Sequence, residues 1–298
     1  MGTLKEGRNR ALVVCGPTAS GKSEISDALA ERQTELGGAH TPTIVVDSMQ
    51  VYRELPVLTN QARRRPAELV GVASVTEQWT VARHRELAER VVDNLPGRHF
   101  VLDAGTGMYL NAILLDIPLA PQVSPALRRR AEREVCRGEA HGHSNPRRVA
   151  RAKELELAGA EGRRSIWHGD LRYETTILYL RPDRSELDAA IAKRSKKIAH
   201  EGLQDAEHLR SMLVAGAPVN SSVTDSVGVK ELIQYLSRDL SLREAEDRIN
   251  VRTRQLARRQ MRWFDKLVHT LEGHVSIYVL TKPPGHGEIH SMHDIIRV

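Results

Sequence analysis

Cysteine is nearly absent: the chain of 298 residues holds two, Cys15 and Cys136. That scarcity argues against a disulfide framework or a thiolate metal site. Cys15, inside the apolar run ALVVCG, reads as a small core residue. Long hydrophobic runs are missing too, with none approaching the ~18 residues of a membrane-spanning helix. The opening stretch MGTLKEGRNR is too polar for a secretion signal, and Glu6 spoils a myristoylation pattern. Repeats and low-complexity segments are likewise lacking. The expectation is a cytoplasmic globular protein that makes no use of a membrane.

What is present supports a substantial core. The hydrophobic content of 40% over this length suits one large domain or two modest ones. The 44 Lys and Arg outnumber the 38 Asp and Glu, for a net charge of +6. Such a balance suits a phosphate-rich ligand or a nucleic acid without requiring either.

One short stretch carries most chemical information. GPTASGKS, residues 16–23, has the spacing of a phosphate-binding loop, with Gly16, Gly21, Lys22 and Ser23 in register. The apolar run before it predicts a strand, and KSEISDALAERQTEL after it predicts a helix with Ile25, Ala28, Leu29 and Leu36 on one face. In that setting the backbone N–H groups around Thr18, Ala19 and Ser20 turn inward, and the helix start adds partial positive charge. Lys22 reaches the outer phosphates and Ser23 offers a hydroxyl to Mg²⁺.

Three more apolar runs read as buried parallel strands: TIVVDSMQVY (43–52), HFVLDAGTGMYL (99–110) and TTILYLRPD (175–183). The fold class is therefore α/β, a P-loop-type parallel sheet flanked by helices. VSIYVLTKPPG (275–285) reads as a final strand. Ligands of such sheets sit at the carboxyl ends of the strands, where Asp47, Asp103 and Thr106 converge on the phosphate loop. Residues 121–172 lack strand signals and carry 12 Lys and Arg against 7 Asp and Glu. We read them as a small basic helical insertion on a core formed by 1–120 and 173–298. Most of the chain after 184 is predicted helical, with Arg254, Arg258 and Arg262 along one face of a long helix.

These residues leave several chemistries open. Asp47 reads either as a carboxylate near Mg²⁺ or as a general base for an incoming nucleophile. Asp103 resembles the Mg²⁺-binding carboxylate of triphosphatases, which keeps an ATPase or kinase in play. The scattered histidines His141, His143, His286, His290 and His293 lack a framework of metal ligands.

Taken together, GPTASGKS, DSMQVYR (47–53), AGTGMYL (104–110), VGVKELIQYL (227–236) and TRQLARRQMRWF (253–264) resemble the tRNA dimethylallyltransferases, or IPP transferase family. The resemblance implies that the loop holds the diphosphate of dimethylallyl diphosphate and that the prenyl group passes to N6 of adenine 37 in tRNA. By matching positions it implies that Asp47 is the general base, that Thr106 lies beside the reacting centre and that Arg194 steadies the diphosphate. It places Ser48, Met49, Gln50, Arg147, Arg148, Arg151, Arg254 and Arg258 against the tRNA anticodon stem-loop. Mg²⁺ is the implied cofactor and a monomer the implied state. Asp103 stands where an apolar residue is common in the family, and adenylate isopentenyltransferases of the cytokinin type place an acid there. That enzyme class is the nearest alternative.

Overall fold

The computed structural model describes residues 8–121, 123–137, 146–159, 165–282 and 284. Its elements run β1 (Arg10–Cys15), α1 (Lys22–Gly37), β2 (Thr43–Val46), α2 (Val81–Asp93), β3 (His99–Ala104), α3 (Gly107–Leu114), α4 (Pro125–Arg137) and α5 (Pro146–Leu157). There follow β4 (Glu174–Leu180), α6 (Arg184–Glu201), α7 (Leu203–Val214), α8 (Ser221–Thr224), α9 (Val229–Leu236), α10 (Leu242–Leu271) and β5 (Ser276–Leu280).

The strands form one five-stranded sheet in the order β2-β3-β1-β4-β5. Every pairing is parallel. β1 lies at the centre because its side chains are apolar on both faces: Ala11 through Cys15 are all buried. Each fully buried Val or Leu of this kind contributes about 1.5–3 kcal/mol relative to exposure. One face is packed by α1, whose Ile25, Leu29 and Ala30 meet Leu12, Val14, Val101 and Leu178. Leu36 departs from the sequence expectation. It stands 54% exposed, two residues before the left-handed cap at Gly38, where the helix has passed the end of the apolar cluster formed by Ile25 and Leu29.

α10 spans 30 residues and starts at a capping box. Ser241 Oγ accepts from the Glu244 N–H at 3.2 Å while the Glu244 carboxylate accepts from the Ser241 N–H at 2.8 Å. Its buried stripe includes Thr253, Ala257, Phe264 and Leu267, the spacing of a helix with one face on a core.

The chain divides into two compact units, Met1–Leu115 with Leu171–Val298, and Asp116–Asp170. The second overlaps the basic stretch 121–172 and contains α4 and α5. Its helices are linked through the buried Glu154, which accepts from Arg128 at 3.3 Å and Arg151 at 2.6 Å. Among the described residues no helix is long and apolar enough to cross a membrane.

Candidate active site

The phosphate loop follows the central strand, and its conformation explains its composition. A Cβ at Gly16 would stand 2.5 Å from the Leu180 carbonyl oxygen, so only glycine lets the loop pass β4 this closely. Ala19 adopts a left-handed backbone, φ 66°, a strained choice for a residue with a side chain and one that clusters at functional sites. α1 then starts at Gly21 with no side-chain cap, so its first N–H groups are left for an anion. The buried Ser20 hydroxyl has no hydrogen-bond partner among the described residues. Lys22 Nζ folds back onto the Pro17 carbonyl at 2.9 Å. Burial lowers the pKa of that ammonium, with Asp103 first and Asp47 second opposing the shift.

Asp47 and Thr106 come together because β2 and β3 end side by side. The N–H groups of Gly105 and Thr106 both donate to the Val46 carbonyl, at 3.1 and 3.0 Å. Thr106 Oγ1 in turn accepts from the Ser48 N–H at 3.1 Å. Asp47 Oδ1 accepts from the N–H groups of Met49 (2.8 Å) and Gln50 (3.2 Å), so the side chain closes its own turn. Oδ2 is bonded to nothing among the described residues and hangs over Gly105, where a Cβ would lie only 2.8 Å away. The side-chain carbonyl of Gln50 is buried without a partner among the described residues.

Arg194, on α6, has no ion-pair or hydrogen-bond partner among the described residues. Burial lowers its pKa and Asp47 opposes that shift. It lines a cavity of about 610 Å³ together with Ala19 and Gly21 of the loop and Lys193, Lys196 and Lys197. Glu201 also lines it and pairs with Lys197 at 3.7 Å, so cations outnumber anions beside the phosphate loop and the cleft is electropositive.

The structure gives Asp103 a different partner from the expected Mg²⁺. Its carboxylate is 3% exposed and its Oδ2 is held by Arg63 at 2.7 Å, so it sits in a buried ion pair. Among the described residues no three His, Cys, Asp or Glu gather as a metal site. Mg²⁺ bound with a diphosphate takes one or two protein oxygens and keeps several waters, and the Ser23 hydroxyl at the start of α1 fits that modest demand. His141, His143, His286, His290 and His293 lie outside the described residues. Burial raises the Cys15 thiol pKa, which leaves it inert.

The expected RNA contacts fare unevenly. Arg258 is exposed, and Arg254 pairs with Asp188 at 3.4 Å. Arg151 is engaged by Glu154 and by the Pro121 carbonyl at 2.8 Å. The side chains of Arg147 and Arg148 lie outside the described residues.

Two polar residues of this centre escaped sequence reasoning. Gln260 of α10 accepts from the Thr18 N–H through Oε1 and donates through Nε2 to the Gly105 carbonyl, both at 2.8 Å. It thus bridges the phosphate loop to the turn beneath Asp47. A signal existed, since Gln260 falls on the stripe of Thr253, Ala257, Phe264 and Leu267, where a polar residue must find partners. The second is Arg63, for which the run ARRR offered no such sign.

A phosphate loop seated after the central strand of this sheet defines a P-loop-type α/β protein. The chain belongs to the IPP transferase family, whose model matches residues 50–267. It is 56% identical to the tRNA dimethylallyltransferase of Rubrobacter xylanophilus over 96% of this chain and 98% of that one. It is 33% identical to the tRNA dimethylallyltransferase of Thermobifida fusca, over 87% and 89% respectively. Among solved structures it is similar to the tRNA isopentenylpyrophosphate transferase of Bacillus halodurans, with TM-score 0.69 and 25% identity over 97% of this chain and 96% of that one. A eukaryotic dimethylallyltransferase acting on tRNA shares the fold, with TM-score 0.69 at 19% identity over 91% and 74%.

Proposed function

We propose that the protein transfers a dimethylallyl group from dimethylallyl diphosphate to N6 of adenine 37 in tRNA, releasing pyrophosphate. The observation that carries this reading is the pair Asp47 and Thr106, locked together at the mouth of a phosphate loop with Asp47 Oδ2 left free. A kinase or triphosphatase would need a carboxylate turned to Mg²⁺, and the buried Asp103 pairs through Oδ2 with Arg63.

In the proposed step the adenine N6 lone pair attacks C1 of the dimethylallyl group while the C1–O bond to the diphosphate breaks. Asp47 Oδ2 takes the N6 proton as the new C–N bond forms. Its partner Oδ1 stays fixed by two N–H groups, which aims the base. Thr106 sits at the reacting centre, held by Ser48. Negative charge grows on the departing diphosphate. The loop amides, the Ser20 hydroxyl, Lys22 and Arg194 meet that charge, an electrostatic role worth several kcal/mol in enzymes generally. Lys22 must first leave the Pro17 carbonyl. Mg²⁺, held by Ser23 and the diphosphate oxygens, would supply further neutralisation of the leaving group.

The acceptor base must leave its stack to reach Asp47, and the unpartnered Gln50 carbonyl suits a base edge beside it. The exposed Arg258 would bind phosphates of the anticodon stem-loop, as would Arg147 and Arg148, whereas Arg151 would have to leave Glu154 first; such contacts make affinity salt-dependent. The proposal takes the enzyme as a cytoplasmic monomer. Incubation with labelled dimethylallyl diphosphate and either bulk tRNA or AMP tests it. Label in tRNA is expected, and label in AMP alone would assign the protein to the adenylate class.

A further inference from the structure

The segment between β2 and α2 carries three consecutive arginines, Arg63, Arg64 and Arg65, and the first is drawn into the interior. The Arg63 side chain is 4% exposed, between Asp27 at 5% and Asp103 at 3%. Nη1 donates to Asp103 Oδ2 and Nη2 to Asp27 Oδ1, both at 2.7 Å. Nε reaches the two Asp27 oxygens at 3.2 and 3.3 Å, and Nη2 also reaches the Ser23 carbonyl at 3.3 Å. One planar fork thus ties the opening of α1 to the end of β3, which a lysine ammonium cannot reproduce. Two buried carboxylates against one guanidinium leave net negative charge, and buried charge demands a further cation. Of the carboxylates near Lys22, Asp103 supports its charge most strongly. Phosphate loop and buried cluster are therefore one electrostatic unit.

We propose that Arg63 is a positioning residue for the diphosphate: by clamping Ser23 and Asp27 to Asp103, it fixes the first turn of α1, and with it the Ser23 hydroxyl and Lys22, in the receiving arrangement. Arg63 itself touches no substrate. This rests on the reading of the loop as the donor's diphosphate site.

The test uses the full chain with Mg²⁺ and inorganic pyrophosphate in calorimetry, alongside KM and kcat for donor and tRNA. Arg63→Lys keeps the charge and loses the fork. It is expected to weaken pyrophosphate binding and raise the donor KM by about tenfold or more, since small misplacements of a binding group are costly. The tRNA KM should stay within about twofold, as the clamp lies on the donor side of the site. A second variant, Arg63→Met with Asp27→Asn and Asp103→Asn, removes all three charges and so avoids unpaired buried carboxylates. It is expected to melt near the wild type and still bind pyrophosphate weakly. Wild-type pyrophosphate affinity in either variant, or a loss of tRNA affinity as large as that of pyrophosphate, would overturn the proposal. A wild type that binds pyrophosphate yet transfers no prenyl group would refute the proposed function, while calorimetry alone still decides the role of Arg63.

Discussion

Replacing Gln260 by leucine keeps most of its volume and removes two hydrogen bonds, one to the Thr18 N–H and one to the Gly105 carbonyl, each 2.8 Å long and partly buried. A bond of this kind contributes about 1 kcal/mol net, and a partner left unsatisfied adds further cost. The loss is therefore about 2–3 kcal/mol, divided between the fold and the loop's readiness for an anion. We expect the melting temperature to fall by about 2 °C and the donor KM to rise by about tenfold, the equivalent of ~1.4 kcal/mol. Gln260→Glu sharpens the test. Its carboxylate can still accept from Thr18 but faces the Gly105 carbonyl with a second acceptor and sets a negative charge beside the diphosphate. Glutamate should therefore be worse than leucine for donor binding, in steady-state kinetics and in pyrophosphate calorimetry alike. A leucine variant with unchanged melting temperature and donor KM, or a glutamate variant no worse than it, would refute the bridging role.

Other changes probe the frame. Asp205 Oδ2 accepts from the N–H groups of Val57 (2.8 Å) and the buried Leu58 (3.0 Å), so Asp205→Ala should cost about 2–3 kcal/mol in urea unfolding. A Cβ at Gly16 meets the Leu180 carbonyl at 2.5 Å, so Gly16→Ala should abolish pyrophosphate binding, as calorimetry would show. Burial pushes the His84 pKa down from 6.5 to about 4, and its Nδ1 accepts from Trp79 Nε1 at 3.2 Å. Between those pH values the unfolded chain takes up a proton that the folded chain refuses, so this group lowers stability as pH falls, by ~3 kcal/mol in full. Urea midpoints measured from pH 7 to 4.5 should fall less steeply for His84→Gln than for the wild type.

The parts of the site legible in the sequence are those written locally. GPTASGKS between a strand and a helix, and the acids closing TIVVD and FVLD, follow from short-range spacing, and the parallel sheet brings their ends together. What stayed hidden depends on partners far along the chain. Asp103 looked like a metal ligand because nothing near it reveals Arg63, 40 residues away. Arg63 and Arg64 are neighbours of one type, yet the side chain of Arg64 is 65% exposed, and no periodicity in that loop separates them. Gln260 was overshadowed by the arginines around it, although its place on the buried stripe of α10 marked it. Arg151 has the charge expected of an RNA contact, but Glu154 one turn on and the Pro121 carbonyl claim its guanidinium.

In the proposed reaction Asp47 takes the N6 proton while the phosphate loop releases pyrophosphate. Single-turnover transfer of labelled dimethylallyl to tRNA by wild type and Asp47→Asn measures it most directly, with tRNA and pyrophosphate affinities recorded for both. Asparagine can still accept from Met49 and Gln50, so the turn is preserved while the base is lost. Transfer should be slowed by about 10²–10⁴-fold with both affinities unchanged. An Asp47→Asn protein that transfers the label at nearly the wild-type rate would contradict the proposed reaction.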